Sequence, residues 1–177
     1  MERVSIFIDG SNLYHHLKGV FGHAQIDLGR FAEWLVGDRK LIRTYYYNAP
    51  VPAERDPDRH KRQQRFFDAL SRIPYLEVRL GRLEPRGESV YVEKGVDVRI
   101  AVDMLSMAFR NAYDTAVLVS CDGDFSHVVD AVRDIGKHVE VACFEKSYHI
   151  RRSADKVIDL NKTSLRPVMR KRKRKRP

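Results

Sequence analysis

The sequence predicts an α/β protein, a three-layer α/β/α sandwich around a mainly parallel sheet of about five strands. Two observations carry that expectation. Short apolar runs at residues 4–8, 41–47, 75–80, 116–119 and 139–144 alternate with segments of helical periodicity. That order builds a parallel sheet with helices on both faces. Two of the runs, far apart in the chain, also end in carboxylates: Asp9-Gly10-Ser11-Asn12 after the first, Asp122-Gly123-Asp124 after the fourth. In open parallel sheets ligands bind in the crevice beyond the carboxyl ends of the strands. Acids there are badly placed for packing and well placed for chemistry.

Each element has a local reason. Residues 4–8 are too short an apolar run for a helix and suit a buried strand. Asn12, whose side chain can accept from a free backbone N–H, is expected to cap a helix starting near Leu13. After a loop at 21–27, Leu28, Phe31, Ala32 and Leu35 share one face of a helix ended by Gly37-Asp38. Residues 41–47, with Tyr45, Tyr46 and Tyr47, are rich in β-formers and read as a strand. A proline-punctuated loop leads to a helix over 59–73, with Phe66, Phe67 and Leu70 inward. Its outer face is basic: Arg55, Arg59, His60, Lys61, Arg62 and Arg65. Pro74 stops it before the strand at 75–80.

Residues 81–94 read as an excursion, a β-hairpin about Pro85-Arg86-Gly87. Asp97 opens a helix to about residue 111, with Val98, Ala101, Val102, Leu105, Ala108 and Phe109 as its apolar stripe. The strand at 116–119 is followed by a helix over 125–135, stopped by Gly136, and by the strand at 139–144. Residues 150–154 suit a short helix, and Val157-Ile158 a last extended segment.

The 177 residues, 43% of them hydrophobic, suffice for one domain, placed at 1–160. A basic tail, expected to be disordered, follows at 161–177. The net charge of +9 is uneven: residues 166–177 hold eight Lys or Arg and no acid, so the body is nearly neutral. No apolar stretch approaches the roughly 20 residues of a membrane helix, and the apolar start is too short for a signal peptide. The two cysteines, Cys121 and Cys143, lack metal-site spacing and read as buried free thiols of a reducing compartment. A soluble, cytoplasmic protein is expected.

Asp9, Asp97, Asp122 and Asp124 share one predicted edge. The helix opened by Asp97 feeds the strand at 116–119, so its start lies at the strands' carboxyl ends. Clustered carboxylates repel one another and raise their own pKa values unless a cation joins them. Mg²⁺, which takes oxygen ligands and keeps several waters, fits best. Such a site lowers the pKa of a bound water and stabilises charge on a phosphodiester. Asn12 adds a neutral ligand or holds a water. Asp103 lies about 120° around the helix from Asp97, so it either backs the site or stands as an exposed acid. Two rival readings fail on single positions. Leu13 replaces the second Ser of a DxSxS adhesion site, and Ser11 replaces the second Asp of a DxD phosphatase.

The motifs resemble those of the NYN domain family, within the PIN-like nuclease superfamily. They are Phe7-Ile8-Asp9-Gly10-Ser11-Asn12, Lys94-Gly95-Val96-Asp97 with Asp103, Val119-Ser120-Cys121-Asp122-Gly123-Asp124-Phe125, and Gly136-Lys137-His138-Val139. The resemblance spans residues 4–144. It implies a PIN-like (Rossmann-like) sheet and Mg²⁺- or Mn²⁺-dependent endonucleolytic cleavage of RNA. Asp9, Asp97 and Asp122 would bind the metal. Asp124 and Asn12 would support them, Ser120 would orient the loop, and Ser11 and Asp103 would assist. One departure is the further Glu of many PIN relatives, which has no counterpart here. Another is Cys121, at a position that is often Gly.

The basic run of Arg170, Lys171, Arg172, Lys173, Arg174, Lys175 and Arg176 reads as a phosphate clamp that raises affinity without reading sequence. Arg59 and Arg62 are further candidates for backbone contact, and a Tyr of 45–47 could stack a base. The expected partner is single-stranded RNA, with a homodimer paired through residues 81–94 as a further expectation. The alternative reading is a non-catalytic RNA-binding or regulatory NYN module.

Overall fold

Alternating apolar and amphipathic segments fold here into strands that are buried on both faces and helices that cover them. The computed structural model describes residues 1–85, 91–144 and 147–170. In chain order the first half runs β1 (Arg3–Asp9), α1 (Gly10–Phe21), α2 (Leu28–Val36), β2 (Lys40–Asn48), α3 (Pro57–Leu70), β3 (Leu76–Leu80) and β4 (Arg82–Pro85). The second half runs β5 (Tyr91–Lys94), α4 (Val96–Phe109), β6 (Thr115–Val119), α5 (Ser126–Asp134), β7 (His138–Cys143), α6 (Tyr148–Ser153), β8 (Lys156–Asp159) and α7 (Lys162–Leu165).

The main sheet has six strands in the order β3-β2-β1-β6-β7-β8, and every adjacent pair is parallel. The strand beyond the expected five is β8, the segment around Val157-Ile158. The chain winds outward from β1 in both directions, so the strand order reverses between β1 and β6. That switch point opens a crevice at the carboxyl ends of the strands. Asp9 ends β1, and Ser120 to Asp124 follow β6. The antiparallel pair β4–β5 stands as a separate two-stranded sheet, as the hairpin reading expects; its turn lies outside the described residues.

One core lies under α1, α2, α3 and α7, around Ile6, Ile8, Leu17, Phe31, Phe67 and Leu165. The other lies under α4, α5 and α6, around Phe7, Tyr47, Ile100, Met104, Val129 and Ile150. The α4 stripe differs from expectation. Ile100 and Met104 face the sheet, while Val98 (67% exposed), Val102 (56%) and Phe109 (74%) face out. Both sides of α4 are apolar at helical spacing, and periodicity alone does not choose between them. On α3, Phe67 and Leu70 are buried as expected, but Phe66 is 40% exposed.

Two ends also moved. Helix α1 begins at Gly10 rather than near Leu13, because Asp9 is its cap and accepts from the Asn12 N–H. The packed body runs past residue 160. Leu165 and Val168 are buried, Ile26 bridges Met169, and Arg170 N–H donates to the Gln25 carbonyl. Residues 171–177 lie outside the described chain.

Candidate active site

Three separate segments deliver acids to the crevice between β1 and β6. Asp9 arrives on the last residue of β1 and is 5% exposed. Its Oδ1 accepts from Asn12 N (3.0 Å) and its Oδ2 from the Ser120 hydroxyl (3.1 Å). Asn12 reaches back across the crevice, and its Oδ1 accepts from Cys121 N at 3.0 Å. Ser120 Oγ also accepts from Asp122 N (3.1 Å), and Asp122 Oδ1 from Asp124 N (3.0 Å). Asn12 and Ser120 therefore tie the start of α1 to the acidic loop after β6. Ser11 stands in the first turn of α1 beside them.

Asp97 comes from the first turn of α4. Gly95 precedes it with φ of 79°, a left-handed conformation that glycine adopts without a Cβ clash. That residue turns the chain from β5 into α4. Gly10 serves differently. A Cβ there would overlap the Tyr46 ring and the Tyr47 carbonyl, so the glycine lets β2 pack against the opening turn of α1.

The electrostatics follow from this crowding. Burial pushes the Asp9 carboxyl up to about 6. The Asn12 N–H and the Ser120 hydroxyl pull it down, and the charges of Asp97 and Asp122 push it further up. Asp97 is raised by burial and then by Asp122 and Asp124, all in the same direction. The four acids thus feel one another across the crevice. Among the described residues no three His, Cys, Asp or Glu side chains converge closely enough to grip a metal ion.

The other expected residues divide. Asp103 turns away from the crevice: it accepts from the Tyr47 hydroxyl at 2.9 Å, pairs with Arg79 and lies 3.9 Å from Arg99. Burial, with Asp103 beside it, pushes the Tyr47 hydroxyl up. Arg59 and Arg62 are exposed on α3 at the carboxyl edge of the sheet. Arg170 stands 3.4 Å from Asp27, and Lys171, Arg172, Lys173, Arg174, Lys175 and Arg176 lie outside the described residues. Tyr45, Tyr46 and Tyr47 are all buried. His149, on α6, which the sequence offers with Arg151 and Arg152 as a residue flanking the site, packs against the Gly123 turn.

The sequence model of the NYN domain matches residues 3–161. The chain belongs to the NYN domain family. A curated relative, Low amplitude and bright protein LabA from Synechococcus elongatus, is 29% identical over 185 residues, covering 99% of this chain and 92% of that protein. A crystal structure of VPA0982 from Vibrio parahaemolyticus, described as a protein of unknown function, shares the fold. It has a TM-score of 0.69 at 24% identity and covers 90% of this chain and 93% of that one. The NYN assignment makes this a PIN-like, ribonuclease-type domain. Domains of that type are typically dependent on divalent metals. The donor set of this NYN domain fits such an ion in kind: every donor is a carboxylate or carboxamide oxygen, and Asp9 and Asp97, raised first by burial, are raised further by neighbouring acids. No helix among the described residues is long and apolar enough to cross a membrane.

Proposed function

We propose that this NYN domain is a metal-dependent endoribonuclease that hydrolyses single-stranded RNA at the crevice between β1 and β6. The observation that carries the reading is the meeting of Asp9, Asp97, Asp122 and Asp124 from three distant segments at the switch point of a parallel sheet. Asp9, Asp97 and Asp122 would hold Mg²⁺ or Mn²⁺, with Asp124 beside them, and the bound ion would supply an acidified water and neutralise charge on the phosphodiester. The chain's own groups do the positioning. Ser120 fixes the direction of the Asp9 carboxylate, and Asn12 holds the loop that carries Asp122. Arg59 and Arg62 meet the RNA backbone along α3, and the run from Arg170 to Arg176 adds a salt-sensitive grip on phosphates. The two free thiols accord with a reducing, cytoplasmic compartment. The same reading includes a homodimer paired through β4–β5, which sedimentation would register as twice the chain mass.

The second reading is a non-catalytic RNA-binding or regulatory module. It is favoured by one observation, the absence among the described residues of three converging metal donors. One experiment separates the two. Purified protein and Asp122→Asn are incubated with labelled single-stranded RNA in Mg²⁺, Mn²⁺ or EDTA. Product that needs metal and vanishes in the variant supports the nuclease. RNA retained in a gel shift without product in any lane overturns it in favour of the binding module.

A further inference from the structure

Beside the acidic crevice lies a cleft of which the catalytic reading uses only Arg59 and Arg62. It sits between α1 and α3 and has a volume of about 490 Å³, within the roughly 300–1,000 Å³ typical of small-ligand sites. Its aliphatic side is Leu13 and Leu17 of α1. Its aromatic side is Tyr46, from β2, and Phe66, from α3, whose rings meet edge to face at 5.7 Å. The cleft adjoins the catalytic edge directly. The Tyr46 ring lies over Gly10, the residue after Asp9, and Ser11 is part of the wall.

The polar groups are few and held in place. Asn48 donates from Nδ2 to the Tyr46 hydroxyl at 3.2 Å. Gln63 accepts from Val51 N at 2.7 Å. Arg59, Arg62 and Phe66 stand at i, i+3 and i+7 on α3, one face of a helix, and all three line the cleft. The 40% of Phe66 left exposed is therefore an aromatic surface lying in line with two guanidinium groups. Apolar walls, an accessible ring, immobilised carboxamides and adjacent cations match a nucleotide: a flat base with polar edges, joined to a phosphate.

We propose that this cleft is a subsite for one nucleotide unit, its base against Phe66 and its phosphate on Arg59 and Arg62. The inference rests on the nucleic-acid reading above and names where that site selects its substrate. The subsite takes a base flanking the scissile phosphate, or a free nucleotide of the same chemistry.

The test is calorimetric titration of the full chain in EDTA with AMP, UMP, ribose 5-phosphate and inorganic phosphate. EDTA removes cleavage from the measurement. The nucleotides are expected to bind about tenfold more tightly than ribose 5-phosphate, the size of one base stacked on an aromatic ring. Phe66→Ala should erase that advantage and Phe66→Tyr restore it. The double variant Arg59→Ala/Arg62→Ala should weaken nucleotides and ribose 5-phosphate alike. A single-stranded hexanucleotide that binds more tightly than AMP, and still needs Phe66, identifies a strand as the ligand. Equal affinities identify a free nucleotide. Nucleotides that bind no better than inorganic phosphate, or that ignore Phe66, overturn the subsite. The cleavage assay is read separately. RNA cut without nucleotide binding removes the subsite alone, and nucleotide binding without cleavage removes the nuclease alone.

Discussion

The two ends of one parallel sheet treat their carboxylates in opposite ways. At the amino end of the strands every acid named here has a cation. Asp114 pairs with Arg3 at 2.6 Å, Glu140 with Arg39 at 3.0 Å and Lys156 at 2.9 Å, and Asp155 with Arg133 at 2.7 Å. Hydrogen bonds from Arg3 hold Asp114 down to about 2. Burial works to raise Glu140 and Asp155, but their partners win and both lie below the ordinary carboxylate range. At the carboxyl end, burial and neighbouring acids drive Asp9 and Asp97 the other way. The amino end spends its charges on holding the strands in place. At the carboxyl end Asp159 of β8 still pairs with Arg151, but the crevice between β1 and β6 keeps negative charge uncompensated, which costs stability and creates demand for a cation.

The sharpest way to break that comparison is Asp9→Asn. The carboxamide keeps one oxygen to accept from the Asn12 N–H, and its NH2 can donate to the Ser120 hydroxyl oxygen in place of the bond that Asp9 accepts, but the buried charge is removed. RNA cleavage should fall by at least about 100-fold, since losing even an outer partner of a metal ligand costs about 10–100-fold. In EDTA the thermal midpoint should rise by about 2–4 °C, the shift that about 1 kcal/mol gives in a chain of this size. Asp9→Ala, which also loses the α1 cap, should fall below Asp9→Asn by about 1 kcal/mol. An Asp9→Asn midpoint below that of the parent would mean the carboxylate supports the fold and the contrast between the ends is wrong.

At the amino end the signs reverse. Arg39→Ala leaves Glu140, which is 2% exposed, with Lys156 and His138 as its remaining partners. Urea denaturation should register a loss of about 3 kcal/mol, the lower figure for breaking a buried pair. Cleavage per folded molecule should not change. A loss under about 0.5 kcal/mol would put this pair among ordinary surface pairs.

The pH dependence has a definite sign. A carboxylate held below its unfolded value stabilises the fold above that value and loses the contribution as pH falls through the folded one. Asp114 therefore supports the fold above about pH 4, the value for a free Asp, and loses that support as pH falls toward 2. Thermal midpoints measured from pH 7 to pH 2 should decline below pH 4, and Asp114→Asn should flatten that decline while lowering the midpoint at pH 7. The effect is modest, because Arg3 and Asp114 are 32% and 40% exposed. An unchanged acid limb in Asp114→Asn would assign the decline to Glu140 and Asp155.

The carboxyl edge was legible in the sequence because two apolar runs end in acids and a parallel sheet brings the ends of its strands together. Asp97 was legible by the same geometry, because the helix it opens feeds β6 and so starts at the carboxyl edge. Asp103 was not legible: it lies on α4, and its role depends on Tyr47 and Arg79, which reach it from β2 and β3. The α4 stripe was misread because Val98, Val102 and Phe109 follow the helical period as faithfully as Ile100, Met104 and Met107, and only the sheet selects one face. Strand β8 is four residues long, so Val157-Ile158 read as an extended segment but its apolar pattern was too short to count it as a sixth strand of the sheet. The cleft beside α3 was invisible, because it exists only where Gly10 admits Tyr46 and Phe66 turns outward.

The smallest effects test how complete the amino end is. Among the described residues the hydroxyls of Ser5 and Thr44 are buried without a hydrogen-bond partner. A buried hydroxyl that makes no hydrogen bond carries its desolvation cost unrelieved. Ser5→Ala removes that group and leaves a smaller apolar side chain in β1, so stability should rise by up to about 1 kcal/mol. Thr115, one strand away, has its hydroxyl donated to Glu2. Thr115→Val keeps the shape and loses the bond, so stability should fall by about 1 kcal/mol. Opposite signs from two hydroxyl deletions in adjacent strands would show that pairing, rather than polarity, is what the amino end rewards. A loss in Ser5→Ala as large as that in Thr115→Val would reveal a partner for Ser5 and extend the paired network into β1.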